Sequence, residues 1–383
     1  VFNRLHSLCP YVALGFLALT MPECLADEET PSVEQAQMLL DQGEVQKARE
    51  FMTSLTPKDA IEVRCLTARL VNAEEGKAVP DGAQLLPKPS DVEVRYGVLH
   101  PEKRQVVFIC RDGGLRIGDL TNLKSEFKVV KDPDGSAVYR GQFSLDGNRF
   151  LTGHQNGRVH VWNSDDWTIQ TSVTVDTEWP VRELAVSSDG TTFVAEAKDG
   201  LWLWSLAESE PKKIANLAGR LNFGAGLSIS PTGDLVATGG MFDINLHDAE
   251  TGEPRGSMGH ASYTMGLQFS ADGKQIAGAP RGNVNKFLAV FDVADKQQLF
   301  NAGPFGNYIA GLAFTPDGTR IVATGCEKQV RIFDSASGDI LLSIPRTECS
   351  AEPAVLKDGS LVGWSEPAGF VFIDLARSEK TSK

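Results

Sequence analysis

From about residue 92 onward, apolar and polar positions alternate with period two in short runs, the pattern of half-buried β-strands. Turn residues cut the runs at regular intervals and share one form: Phe143-Ser144-Leu145-Asp146-Gly147, Val186-Ser187-Ser188-Asp189-Gly190, Ile229-Ser230-Pro231-Thr232-Gly233, Phe269-Ser270-Ala271-Asp272-Gly273 and Phe314-Thr315-Pro316-Asp317-Gly318. Weaker copies flank them, at Leu99 to Lys103 and Leu356 to Gly359. From Gly147 to Gly318 the turn glycines lie 43, 43, 40 and 45 residues apart. An Asp-Gly or Thr-Gly pair supplies the φ > 0 position of a tight hairpin, so each copy folds two strands back on each other. A further strand then ends in an aromatic and a polar residue, as in Val159-His160-Val161-Trp162-Asn163 and Val330-Arg331-Ile332-Phe333-Asp334.

About 40 residues make four antiparallel strands whose two faces are both apolar, and only neighbouring sheets can cover those faces. Seven copies therefore predict an all-β fold over residues 79–383, a seven-bladed β-propeller of four-stranded antiparallel blades preceded by a short α-helical segment. Gly226, Gly266 and Gly311 recur in the innermost strand, where blades converge on a central channel and a missing side chain lets backbones approach. The last copy ends at Phe370-Val371-Phe372-Ile373-Asp374 with little chain left for a fourth strand. Gly82 to Leu86 is expected to supply it and close the ring.

Ahead of the repeats the period changes. Residues 32–72 place Ala36, Leu39, Leu40, then Val45, Ala48, Phe51 and Met52 at helical spacing with Gly43 between, so 27–78 reads as a helical hairpin. Earlier still, Arg4 and His6 precede an apolar run from Tyr11 to Met21, followed by Pro22 and Cys24-Leu25-Ala26. A charged start, a short apolar stretch and a small-x-small site predict a secretory signal over 1–26. The run is too short to span a bilayer, so the mature chain is expected to have no membrane span and to be exported, periplasmic or extracellular, in a bacterium.

The formal charge of −13 leaves no drive toward DNA or RNA, which excludes a general nucleic-acid binder. The six cysteines show no Cys-x-x-Cys pair, and Cys326 with Cys349 is the pair that could bridge if geometry allows.

The repeats resemble the WD40 family, over about 285 of the 383 residues, and Gly259-His260 matches that family's Gly-His dipeptide. The family's internal set of His, Asp and Trp is not complete in any one copy: copy three has Asp199 and Trp204 without Gly-His, copy five has His260 with Phe291 for Trp, and copy one has Gly118 for the aromatic. The segment Ala-x-x-Leu-Leu-x-x-Gly-x-x-x-x-Ala near the N-terminus resembles a single tetratricopeptide unit. Resemblance to WD40 proteins implies a rim that docks peptides and partner domains.

No nucleophile elbow, His-Glu-x-x-His pair or phosphate-cradling loop is present, so no catalytic residue, metal or cofactor is expected. His154 and His160 are explained by turn and edge-strand positions, and Asp132-Pro133-Asp134-Gly135 by a turn. The candidate binding residues are Trp179, Phe223, Tyr263 and Tyr308, which precede the innermost strands of successive copies and would emerge on one rim. There they either form a protein-binding hot spot or seal the strand ends. Arg95 and Arg182, at equivalent positions in their strands, add carboxylate-binding donors near the channel mouth. The expectation is a monomeric, non-catalytic platform for a protein or peptide partner. The alternative is an enzyme, or a small-ligand or metal binder, centred on the channel.

Overall fold

The computed structural model describes residues 83–374, apart from 218–225, 260–263, 281–286, 306, 327–328 and 347–350, together with residues 39, 44 and 47. The segment expected as a leader, and all but those three residues of the expected helical hairpin, lie outside the described residues.

The repeated turn explains the hairpins in atomic terms. The Ser144 hydroxyl donates to Asp146 Oδ1 at 2.5 Å and accepts the Arg149 N–H at 3.0 Å, while the Gly147 N–H donates to the Ser144 carbonyl. Gly147 sits at φ 72°, where a Cβ would be strained. The same hydroxyl-to-carboxylate bond recurs at Ser187 with Asp189, Ser230 with Asp234, Ser270 with Asp272 and Thr315 with Asp317. Burial alone would raise the Asp146 carboxyl, but hydrogen bonds from Ser144 and Asn148 hold it below its usual range. The first copy, at Leu99 to Lys103, lacks the motif, and buried His100 replaces it: its Nδ1 accepts the Glu102 and Lys103 N–H groups, both at 3.0 Å.

Among the described residues the strands form seven four-stranded antiparallel sheets. Six are contiguous, at 94–130, 138–174, 184–217, 227–259, 264–302 and 309–345. We call them blades 1 to 6, and letter the strands of each a to d from the innermost outward. Blade 7 takes Ala351–Val355, Leu361–Glu366 and Gly369–Asp374, and its outer strand is Gln84–Pro87 from the other end of the repeat region. That strand pairs Gln84 with Phe372 through to Pro87 with Gly369, close to the segment the sequence nominates for closure.

Buried side chains fill the spaces between neighbouring blades. One cluster joins Leu86, Phe370 and Phe372 of blade 7 to Leu99, Val106 and Phe108 of blade 1. Gly118, where copy one departs from the aromatic pattern, belongs to the same joint. A Cβ there would lie 2.5 Å from Leu86 Cδ2 and 2.9 Å from the Phe127 ring. The closing strand fills the space that Trp162 and Phe333 fill at the same register in blades 2 and 6.

Candidate functional site

In every blade strand a begins and strand b ends at one end, called upper here. The a–b and c–d turns lie at the other.

At the upper end, a register shift in strand a puts one extra residue between Val94 and Tyr96 in blade 1, and between Val138 and Arg140 in blade 2. Bulges of this kind re-aim side chains. The residues in them are Arg95 and Tyr139, and Arg182 holds the corresponding place just before strand a of blade 3. The three come together: the Arg95 guanidinium lies 4.0 Å from the Tyr139 ring centre, and Arg182 lies 5.7 Å from Tyr139 and 5.6 Å from Trp179. This is a cation–π stack built from neighbouring blades. Sequence reading picked its two arginines and Trp179 but missed Tyr139, whose signal was its equivalence to Arg95 in the repeat alignment.

Trp179 is half-buried and faces Glu196, whose carboxyl is raised by burial and lowered by Arg182 and the Trp179 indole. Beside Arg95 opens a cavity of about 300 Å³, lined among others by Tyr96, Phe108, Ala351 and Pro367.

Farther round the upper end, Tyr308 is exposed, with its hydroxyl 3.0 Å from the sulfur of the disulfide-bonded Cys326. Phe223, Tyr263 and Cys349 lie outside the described residues. Two other sources of exposed apolar surface were missed: Met241 and Phe242 in the b–c turn of blade 4, 55 % and 66 % exposed, and Phe287 at the end of the b–c connection of blade 5. An apolar pair beside Gly239-Gly240 reads as strand in sequence, which is why these went unremarked.

One position at the upper end of the innermost strand, or just ahead of it, differs in kind round the ring. It is Tyr96, Arg140 and Glu183 in blades 1 to 3, glycine at 226, 266 and 311 in blades 4 to 6, and Glu352 in blade 7. Arg140 Nη1 lies 2.5 Å from Glu352 and its Nε 4.0 Å from Glu183. Tyr96 accepts the Gly141 N–H at 3.0 Å and is pushed up to about 12 by burial. Burial also raises the Glu183 carboxyl, against the pull of Arg140, to about 7. Arg140, Glu183, Glu352 and the three glycines line a cavity of about 410 Å³ that reaches toward the lower end. The sequence had marked the glycines but not this charged half.

Blade 2 overturns the separate turn and edge-strand explanations of its histidines. His154 at the end of strand b and His160 in strand c stack edge to face, ring centres 4.4 Å apart. Both face Asp132, from the loop entering the blade: His154 Nδ1 is 3.5 Å from Oδ2 and His160 Nε2 is 3.2 Å from Oδ1. The Trp162 indole donates to Thr152 Oγ1 at 2.8 Å, and Thr152 lies 2.7 Å from His154 Nε2. Blade 2 therefore builds an internal polar set from Asp, His, Thr and Trp, with the His on strand b and the Asp in the entry loop. Burial lowers both imidazoles, His154 to about 4, so both are neutral near pH 7. In blade 3 the partner of Asp199 is Trp202, at 2.7 Å, and not Trp204.

The sequence profile of the WD domain, G-beta repeat, matches residues 298–334. The matched span comprises strand d of blade 5 and strands a to c of blade 6, the same one-strand offset that leaves blade 7 to be closed by Gln84–Pro87. The chain is 23 % identical over 220 residues to "Periodic tryptophan protein 2" of Arabidopsis thaliana, covering 56 % of this chain and 24 % of that protein. It is 21 % identical over 233 residues to "LEC14B protein" of Lithospermum erythrorhizon, covering 58 % of this chain and 43 % of that protein. The chain thus spans less than half the length of these curated relatives. Among solved structures, a chain of "Crystal Structure of Mitotic Checkpoint Complex" superposes with a TM-score of 0.64 at 15 % identity, over 78 % of this chain and 94 % of that one.

The chain carries a WD repeat and folds as a seven-bladed WD40-type propeller. Its curated relatives are eukaryotic, which overturns the expectation of an exported bacterial protein. A short apolar run behind a charged start is as compatible with a buried segment as with a leader. No helix among the described residues is long and apolar enough to cross a membrane.

Proposed function

We propose that this chain is a non-catalytic, monomeric protein-interaction platform that holds an apolar, carboxylate-bearing segment of a partner against the upper end of the propeller. The observation that carries the reading is where the exposed apolar side chains fall. Met241, Phe242, Phe287 and Tyr308 are four of the eight exposed large hydrophobics among the described residues, and all belong to upper loops of three successive blades. The remaining four are scattered over outer strands and one lower turn, at Leu85, Val129, Leu299 and Leu145. Solvent-facing aromatics grouped on one rim give up their water at low cost in rotamer freedom.

Arg95 and Arg182 supply the charge complement, since neither makes a contact ion pair among the described residues, and Tyr139 stacks between them. Propellers of this type typically bind protein partners, and Phe223 and Tyr263 extend the proposed surface by their place in the repeat. A second reading, a cationic ligand in the channel, is favoured by two carboxylates sharing Arg140.

The test selects binders from a random peptide library displayed on phage and measures them against three proteins: the intact chain, the triple variant Met241→Ser, Phe242→Ser, Tyr308→Ser, and a lower-end control, Leu145→Ser. We expect the triple variant to lose at least about tenfold in affinity, the loss of one modest hot spot, with the control unchanged. Equal binding by the triple variant contradicts the proposal.

A further inference from the structure

We propose that blade 2 contains a structural zinc site formed by Asp132, His154 and His160, with Asp134 at its edge. Each of the three core residues offers a donor atom, and these atoms lie within 4.8 Å of one another, with all three side chains buried. The contact separations are 3.5 Å for His154 Nδ1 to Asp132 Oδ2, 3.2 Å for His160 Nε2 to Asp132 Oδ1, and 3.5 Å for His160 Nε2 to Asp134 Oδ2. Bonds of about 2.0–2.2 Å in a tetrahedron put donors roughly 3.3–3.6 Å apart, so one donor from each residue, all within 4.8 Å of one another, closes on an ion by drawing in at most about 1.5 Å.

A second observation points into the same space. The His160 side chain is 2 % exposed, and its Nε2 has no well-formed hydrogen bond although Asp132 Oδ1 and Asp134 Oδ2 lie 3.2 and 3.5 Å away. A buried imidazole nitrogen aimed at two carboxylates without a bond to either is a costly arrangement for a purely hydrogen-bonded core. A cation placed among them removes that cost.

Each donor is also held from behind, as metal ligands are. Ser172 Oγ lies 2.7 Å from His160 Nδ1, and Thr152 Oγ1 lies 2.7 Å from His154 Nε2 and is itself anchored by Trp162. Asp132 takes the N–H groups of Asp134 and Ser136. Without metal, the His154 Nδ1–H donates to the Ser136 carbonyl at 3.0 Å. With metal, the imidazole carries its proton on Nε2, where Thr152 accepts it, and Nδ1 is free to bind. Two imidazoles and a carboxylate suit zinc better than magnesium or calcium, which prefer all-oxygen shells. The ion would fasten the loop entering blade 2 to strands b and c.

The experiment strips the 383-residue chain of metal, dialyses it against micromolar zinc chloride and counts bound zinc. His160→Gln, Asp132→Asn and Trp162→Phe are treated alike. We expect one zinc per wild-type chain, retention by Trp162→Phe, and a loss of more than about 100-fold in affinity in the two ligand variants, beyond the usual effect of an outer partner. Absence of zinc from the wild type, or equal affinity in His160→Gln, overturns the site. Should the ligand variants fail to fold, ¹⁵N imidazole spectra of the wild type decide. Zinc-dependent shifts at both His154 and His160 support the site, and unchanged spectra refute it.

Discussion

Ring closure makes a quantitative demand on Leu86. This side chain is 2 % exposed in the joint between blades 7 and 1, and Gly118 leaves it the space it occupies. Replacing Leu86 by Ala removes three carbons from a site whose walls are other blades and cannot easily collapse. That places the cost at about 3 kcal/mol, within the 2–5 kcal/mol range for buried Leu to Ala. For a domain of this size it lowers the Tm by roughly 5–10 °C.

The reciprocal change is more telling. Gly118→Ala alone sets a methyl 2.5 Å from Leu86 Cδ2 and should cost about 1–3 kcal/mol through overpacking. In the Leu86→Ala background that collision is gone, and only the Phe127 edge must move. A double-mutant cycle by urea unfolding, followed by far-UV circular dichroism, should therefore show a favourable coupling of at least about 1 kcal/mol. Additive costs, within about 0.5 kcal/mol, would refute a closure made through this contact. Deleting residues 79–90 removes the whole closing strand and should lower the Tm further than Leu86→Ala does.

Three other outcomes follow from the buried polar groups. Glu183 has its folded pKa raised to about 7, above its unfolded value near 4.5, so its contribution to stability is full below about pH 4.5 and is lost as pH rises through 7; Glu183→Gln should match the wild type at pH 5 and be the more stable at pH 8 in chemical denaturation, and parallel curves would contradict the shift. Thr152→Val orphans both the Trp162 N–H and His154 Nε2 and should cost about 2–4 kcal/mol, read as a lower urea midpoint; an unchanged midpoint would contradict the network. Cys110 is buried and its thiol is pushed up to about 12 by burial, so iodoacetamide at pH 8 should label it only after denaturation; peptide mapping that finds it labelled in the native protein would contradict its placement.

What was legible in the sequence and what was not divides along a physical line. The hairpins were legible because Ser-x-Asp-Gly is a local device: hydroxyl, carboxylate and left-handed glycine lie within four residues and act on each other directly. Closure was legible from arithmetic, as a strand missing at one end and a spare one at the other. Blade 2's polar set was not, because Asp132, His154 and His160 sit in a loop and on two strands, and only the pairing of Thr152 with His160 and Val138 with His154 brings them together. The channel charges were hidden for the same reason: Arg140 and Glu352 meet across the ring, 212 residues apart in the chain. Of the rim residues, Arg95, Arg182 and Trp179 came from equivalence between copies, the one long-range signal a repeat protein offers. Met241, Phe242 and Phe287 sit in b–c connections, which vary from copy to copy. The cellular address went wrong because a short apolar run carries little information by itself.

The most direct measurement of the platform reading is a hydrogen-exchange footprint of the intact chain with a selected peptide bound. Slowed exchange is predicted in the upper loops, at Gly239 to Asp243, Phe287 and the approach to Tyr308, with the Ser-x-Asp-Gly turns at the opposite end unchanged. Protection confined to those lower turns, or to the strands that carry Arg140 and Glu183, would contradict it.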